Sequence, residues 1–430
     1  MNEPPAGDST RLRVQRPERF QVEMQFHSLD QLLAPDHRAR AVWNYVQSLD
    51  VEPLYRELKT FYGASGRPPI APDLLLALWL LATLDSIGSA RALTKRCDTD
   101  LPYQWLCGGV SVNYHTLSDF RSDQAEFFEK ILIDGVTVML HAGIATVETI
   151  AQDGMRVRAN AGGSSFRREP KLEELHQLAR EHVARLRAES DDEGPRQDGD
   201  ARRKAAAERA AVEREARLRD ATEQVRQLHL DKEKREKGSG DQARSSTTDP
   251  DARMMKMGDG GFRPAYNVQF ATDAAARVIV AVRVTNSGSD RGQMAPMLAK
   301  VRGAYDRLPR RCLVDSAFAT HDDVTQAERA GVEVVSTIHD EKGMRERGVD
   351  PFTRQKRDTD ESFRFRQRMA LPEYQSLYKQ RPSIAEYPNA ECRNRGLRQM
   401  PVRGLKRVTA IALLHAVTFN LLRMLHWKVV

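Results

Sequence analysis

Cysteine is scarce in this 430-residue chain. The four present, Cys97, Cys107, Cys312 and Cys392, are too few and too scattered for a disulfide framework or a Cys-rich zinc site. The first sixteen residues are polar, contain proline and lack an apolar core, so no signal peptide is expected. A long hydrophobic run is missing too. The most apolar stretch, residues 408–425, is interrupted by His415, Asn420 and Arg423 and is read as falling short of a membrane span. No internal repeat is visible. These absences lead to the expectation of a soluble, cytoplasmic protein with no membrane partner. What is present fits a folded chain: 40% apolar residues exclude wholesale disorder, and the length suits two or three domains with a sizeable core.

Charge is plentiful and unevenly placed. Residues 167–240 carry 19 basic and 18 acidic side chains, so this dense stretch adds almost nothing to the net +7. From residue 353 to the end there are 16 basic against 6 acidic, an excess larger than that of the whole chain. A one-sided block of this kind is the footprint expected for a polyanion such as nucleic acid, although a solvated, internally paired face gives the same count.

Periodicity divides the chain. Residues 1–16 read as a disordered tail, and residues 17–143 as a helical N-terminal domain with apolar positions at helical spacing through Leu74, Leu75, Leu78 and Leu81. Pro72 marks a helix start and Asn113 a helix cap. Helices near 89–97 and 114–123 suggest a loose helix-turn-helix, with Arg91, Lys95, Arg96, His115 and Arg121 as DNA contacts or, equally, as the outer face of a bundle. Trp79 and Trp105 read as core of this domain. After Gly143 the composition turns β-branched, predicting a strand over 144–151 that ends at the turn-prone Asp153-Gly154. Further strands are expected over 266–271, 278–284, 312–314 and 332–335, with helices over 294–306 and 321–330. A meander followed by alternating strands and helices argues for an α/β fold, a mixed sheet covered by helices. Segment 167–240 interrupts that sheet as a charged helical insertion, broken at Gly194-Pro195. Ala207, Ala211, Leu218, Ala221, Val225 and Leu228 follow an approximate heptad, which fits either a dimerising coiled coil or an intramolecular hairpin. Residues 338–370, rich in charge, are expected to be mobile.

Three acids stand out. Asp153 and Asp315 each follow a short apolar strand, and acids at the carboxyl ends of neighbouring strands converge on one crevice. Glu386 lies near a helix start within the basic block. Three carboxylates gathered without cations are costly, and a pair of divalent metals relieves that cost while creating a phosphoryl-transfer site. Oxygen ligands favour Mg²⁺ or Mn²⁺ over zinc. Each acid also has a plainer reading. Asp153-Gly154 is a turn signal, Asp315 can cap a helix, and Ser383 with Glu386 spells a capping box.

The sequence resembles the DDE transposases of bacterial insertion sequences, in the branch where a helical N-terminal domain precedes a ribonuclease-H-like catalytic core. The resemblance covers most of residues 20–427. It rests on Ile150-Ala151-Gln152-Asp153-Gly154, Ala159-Asn160-Ala161, Ala265-Tyr266-Asn267-Val268-Gln269, Leu313-Val314-Asp315-Ser316, Arg381-Pro382-Ser383-Ile384-Ala385-Glu386, Arg403-Gly404-Leu405 and Asn420-Leu421. It implies a catalytic core made of residues 144–166 and 241–430. It further implies that Asp153, Asp315 and Glu386 hold two Mg²⁺ or Mn²⁺ ions, between which water and then a DNA 3′-hydroxyl attack a phosphodiester.

The family's tyrosine, arginine, glutamate and lysine signature is similar to Tyr378, Arg381, Glu386 and Arg393. Two departures are present: four residues rather than three separate Arg381 from Glu386, and arginine replaces lysine at Arg393. Arg381, Arg393, Arg395, Arg398 and Arg403, with Lys406 and Arg407, are candidates to grip DNA phosphates, and Tyr378 joins them. His415 and His426 read as bystanders. The partners implied are double-stranded DNA, both transposon ends and target, and a second copy of the chain on that DNA, in a cytoplasmic, nucleoid-associated setting. The rival readings are a catalytically silent DNA-binding descendant of such an enzyme and a scaffold built around 167–240. Neither needs all three acids.

Overall fold

The computed structural model describes residues 26–58, 68–191 and 198–429. The expected tail 1–16 and the Gly194-Pro195 break lie outside them.

The N-terminal region is helical, as its periodicity predicts. Helix Pro72–Leu84 begins at its proline and buries twelve of its thirteen residues. A helix apolar on every face has to be surrounded, and this one sits among Arg38–Ser48, Leu101–Cys107, Tyr114–Asp123 and the C-terminal helix. Asn113 caps Tyr114–Asp123 by accepting the Thr116 N–H at 2.9 Å. Helices Ala90–Thr99 and Tyr114–Asp123 both form, but a third helix, Leu101–Cys107, stands between them. Pro102 begins that helix rather than breaking the chain, and Gly108 ends it in the left-handed region at φ 54°. The loose two-helix unit is therefore a three-helix one. Trp79 is core, its indole N–H donating to the Leu117 carbonyl at 2.8 Å, whereas Trp105 is only partly buried.

The first strand, β1 (Thr149–Arg158), starts later than predicted and runs straight through Asp153-Gly154. That pair is no turn. An ideal Cβ on Gly154 would lie 2.5 Å from Gln269 Nε2, 2.7 Å from Asp290 Oδ1 and 2.8 Å from Asn267 Oδ1. The glycine is required by close neighbours across the sheet, not by chain reversal.

Beyond β1 come a two-residue strand β2 (Phe166–Arg167), the insertion, and β3 (Ser245–Ser246), which pairs with β2. Strands β4 (Arg253–Lys256), β5 (Phe262–Asp273) and β6 (Ile279–Thr285) follow, then β7 (Arg311–Leu313) and β8 (Glu333–Val335). One edge of β5 takes β1 antiparallel; the other takes β4 and β6 along different halves. On its far side β1 pairs in parallel with β7, and β7 with β8. An antiparallel meander continued by parallel strands is the ribonuclease-H-like mixed sheet. Helices Met294–Tyr305 and His321–Arg329 cross between the parallel strands as expected.

The insertion is a hairpin of two helices, Glu169–Asp191 and Asp198–Arg235. Leu172 and Ala179 meet Leu218, Ala221 and Val225 in a small core of their own. Arg226 bonds Glu169 and Glu173 at 3.0 and 2.6 Å, while Arg187 reaches Glu208 at 3.4 Å, so the helices run antiparallel. The heptad stripe is thus used within the chain, apart from the exposed Ala207. Residues 338–370, expected to be mobile, instead contain helices Glu341–Glu346 and Asp360–Met369. Their charges pair locally, Arg366 with Asp358 at 2.9 Å and Arg368 with Glu328.

The C-terminal helix Leu405–Trp427 corrects one expectation. By length and mean hydropathy it is apolar enough to cross a membrane. Yet 72% of its apolar window is buried, against helix Ala125–His141, β6 and Pro72–Leu84, so burial in the core accounts for its composition.

Candidate active site

Register brings the two aspartates together. Ala151 of β1 pairs with Leu313 of β7, and each aspartate lies two residues further on. Because β7 stops at Leu313 while β1 continues, the edge of β1 at Asp153 is left open on the side where Asp315 emerges. Asp315 Oδ1 accepts the Ala317 and Phe318 N–H groups at 2.9 and 3.3 Å, which fixes the turn. The following helix is capped by Thr320 instead. The capping reading of Asp315 is half right, and it leaves Oδ2 turned toward Arg381 at 3.9 Å.

Glu386 arrives from the other side of the site. Pro382–Glu386 forms a π-helical turn that leads directly into helix Tyr387–Asn394. In an α-helix, five residues turn through about 500°, which would leave Glu386 about 140° round from Arg381. The π-turn absorbs the one extra residue and keeps the two side chains within reach, Arg381 Nη1 to Glu386 Oε1 at 3.4 Å. The unusual spacing read from the sequence thus has a local structural answer. The capping box does not form: Ser383 Oγ donates to the Gln380 carbonyl at 2.9 Å.

Arg381 joins all three acids. Its Nη2 donates to Asp153 Oδ1 at 3.0 Å, and its side chain is 9% exposed. Asn389, one helical turn beyond Glu386, donates to Asp153 Oδ2 at 2.9 Å. Asp153 is more buried than the other two carboxylates, 17% exposed against 38% for Asp315 and 58% for Glu386. Burial pushes its carboxyl up to about 6, with Arg381 opposing the rise and Asp315 adding to it.

Of the residues singled out in the sequence, Asp153, Asp315, Glu386 and Arg381 are brought together; the others stand outside that set. Tyr378 ends helix Pro372–Tyr378 and packs partly buried on the core. Arg393, Arg398 and Arg403 are exposed. They flank the segment that runs beside the end of β1, where the Arg158 N–H donates to the Arg398 carbonyl at 3.1 Å. Arg395 turns inward, donating to the Leu84 carbonyl at 3.0 Å and to Glu391 at 3.2 Å. Arg121, counted among the possible DNA contacts, is buried under Trp79. Sequence reasoning missed Asn389, whose only signal is its place three residues after Glu386. It also missed the polar layer behind β1, where Asp290 accepts from Asn267, Gln269 and Arg156, each at 2.8 Å.

Among the described residues, no cluster of three His, Cys, Asp or Glu side chains is posed to hold a metal. The reason is visible: a guanidinium fills the space that the three carboxylates share. The donor set itself is all carboxylate oxygen and already gathers around a positive charge, which fits a hard divalent cation once Arg381 moves aside.

Residues 27–123 match a transposase domain family, and residues 241–421 match a transposase DDE domain family. No curated protein and no solved structure gives a match. The two matched stretches cover well over half of the chain. Strand β1 with Asp153 lies between them and joins the second through its pairing with β5 and β7 and through the bonds of Asp153 to Arg381 and Asn389. The chain belongs to the DDE transposases of the insertion-sequence type.

Proposed function

We propose that this transposase binds transposon-end DNA and cuts and joins its strands by in-line phosphoryl transfer, with Asp153, Asp315 and Glu386 as the catalytic carboxylates. The observation that supports this most strongly is the convergence of all three on one guanidinium, from the middle of β1, the loop after β7 and a helical turn distant in sequence. A divalent cation bound there, Mg²⁺ or Mn²⁺ and two ions by the family's habit, supplies Lewis acidity toward the phosphodiester.

The chain's own residues do the rest. Asp153, Asp315 and Glu386 would hold the cation, and Asn389 orients Asp153 through its second oxygen. Arg381 neutralises the carboxylates in the state described here, and its displacement frees a guanidinium beside the site for a DNA phosphate. Arg393, Arg398 and Arg403, exposed along the segment next to β1, offer the positive surface that a DNA backbone requires. Joining two ends calls for at least two copies on the DNA.

The test is cleavage of a duplex carrying the element's own ends, in Mg²⁺ or EDTA, by wild type and Asp315→Asn. The reading predicts nicking that needs both the metal and Asp315. Tight binding of end DNA without cleavage under any condition would instead establish a silent DNA-binding descendant.

A further inference from the structure

A cavity of about 360 Å³ lies where the N-terminal helices meet the C-terminal part of the chain, apart from the three carboxylates. That volume falls within the range of small-ligand sites, about 300–1,000 Å³. One wall is apolar, formed by Ile87, Leu397, Met400 and Leu414. The rest of the lining includes Arg121, Arg395 and His415.

These three side chains carry unmet polar atoms. Arg121 is 5% exposed, stacks on Trp79 at 4.2 Å and donates Nη1 to the Gly88 carbonyl at 2.6 Å. It makes no ion pair among the described residues, and its Nε is buried without a partner. Arg395 spends Nη1 and Nη2 on the Leu84 carbonyl and Glu391, and its Nε is likewise buried and unpartnered. Nδ1 of His415 is the third such atom. An unpaired buried guanidinium is costly, and here two guanidiniums that each retain an unpartnered Nε border the same cavity. Burial lowers Arg121 to about 10, in keeping with a charge that lacks its counter-ion.

We propose that this seam cavity is an anion site that takes a phosphoryl group carried on a small apolar or aromatic body. Two guanidinium edges and an imidazole nitrogen, contributed by three separate segments, suit the several terminal oxygens of a phosphate better than the two of a planar carboxylate. The apolar wall receives the body. The lining comes from both family-matched stretches, so an occupant would bridge the N-terminal helices and the C-terminal segment 395–415.

The experiment is titration calorimetry on the full chain with inorganic phosphate, AMP, propionate, and a dinucleotide with or without a 5′-phosphate. Saturable binding of AMP is expected, tighter than phosphate and far tighter than propionate, with at least a tenfold loss in Arg121→Gln and in Arg395→Gln. Arg345→Gln, on a distant surface helix, should bind as wild type does. Preference for the 5′-phosphorylated dinucleotide over AMP would identify a DNA terminus as the source, and the reverse a free nucleotide. Should the arginine variants misfold, hydrogen exchange of the wild type decides: AMP should protect residues 114–123 and 405–427. Absence of saturable binding, equal binding by the folded arginine variants, or protection confined elsewhere would overturn the proposal.

Discussion

Asp153 sits in a compromise between opposing fields. Burial raises its carboxyl to about 6, against the opposing pull of the Arg381 charge and the Asn389 hydrogen bond. Its chain neighbour has a different constraint: Gly154 faces the amides of Asn267 and Gln269 and the carboxylate of Asp290 at distances no Cβ tolerates. Gly154→Ala should therefore destabilise the protein by about 1–3 kcal/mol, the usual cost of overpacking, read as a lower urea midpoint at unchanged slope. His415 gives the pH test. Burial first, then the charges of Arg121 and Arg395, lower its imidazole from 6.5 to about 3. The unfolded chain takes up a proton there that the folded chain refuses, so stability is full above pH 6.5 and is lost as pH falls toward 3. The slope contributed is up to about 1.4 kcal/mol per pH unit. Melting temperatures of His415→Gln should fall less steeply between pH 7 and pH 4.5 than those of wild type. The acids were legible as residues but not in their settings. Asp153-Gly154 carries the local chemistry of a turn, and only the partner strand's polar side chains, more than 110 residues away, reveal why the glycine is there.

At the scale of elements, the π-turn at Pro382–Glu386 is the point of greatest interest. A single added residue in an α-helix is commonly absorbed in this form. Deleting the exposed Ser383 should let the segment relax to an α-turn with Arg381 and Glu386 still on one face. Metal-dependent nicking of end DNA should then stay within about tenfold of wild type, since 100° per residue places i and i+4 close together. Loss of nicking with intact binding would show that the π geometry itself is needed. Strands and crossover helices from β5 to β8 were readable because short β-branched runs alternate there with helical apolar spacing. The helix Leu101–Cys107 was not, since its proline and the glycines after it look like a connection. Charge density misled at 338–370, where ion pairs inside the segment and one to Glu328 outside it help offset the loss of chain entropy that composition alone cannot weigh.

For the molecule as a whole, the insertion is tied off at its base. Strands β2 and β3 pair where the hairpin leaves and returns, so its removal opens no gap in the sheet. Replacing residues 169–243 by a short turn should leave the melting temperature of the catalytic sheet nearly unchanged, measured by circular dichroism. On DNA, glutamine at Arg393, Arg398 and Arg403 should reduce the slope of log affinity against log salt by about one for each phosphate contact removed. The helical N-terminal region and the mixed sheet were visible from periodicity. The seam between the helical region and the sheet was not, because it is assembled from residues with no shared local pattern.

The separation in sequence within the site carries a further consequence. Asp153 draws its arginine from 228 residues downstream and its asparagine from 236. During synthesis, at about 5–20 residues per second, the aspartate therefore waits on the order of tens of seconds for its partners to leave the ribosome. A message cut short before codon 389 yields chains that have the helical region and the first strands but an incomplete cluster around Asp153. Truncated copies keep the first aspartate and lack the side chains that hold both of its oxygens.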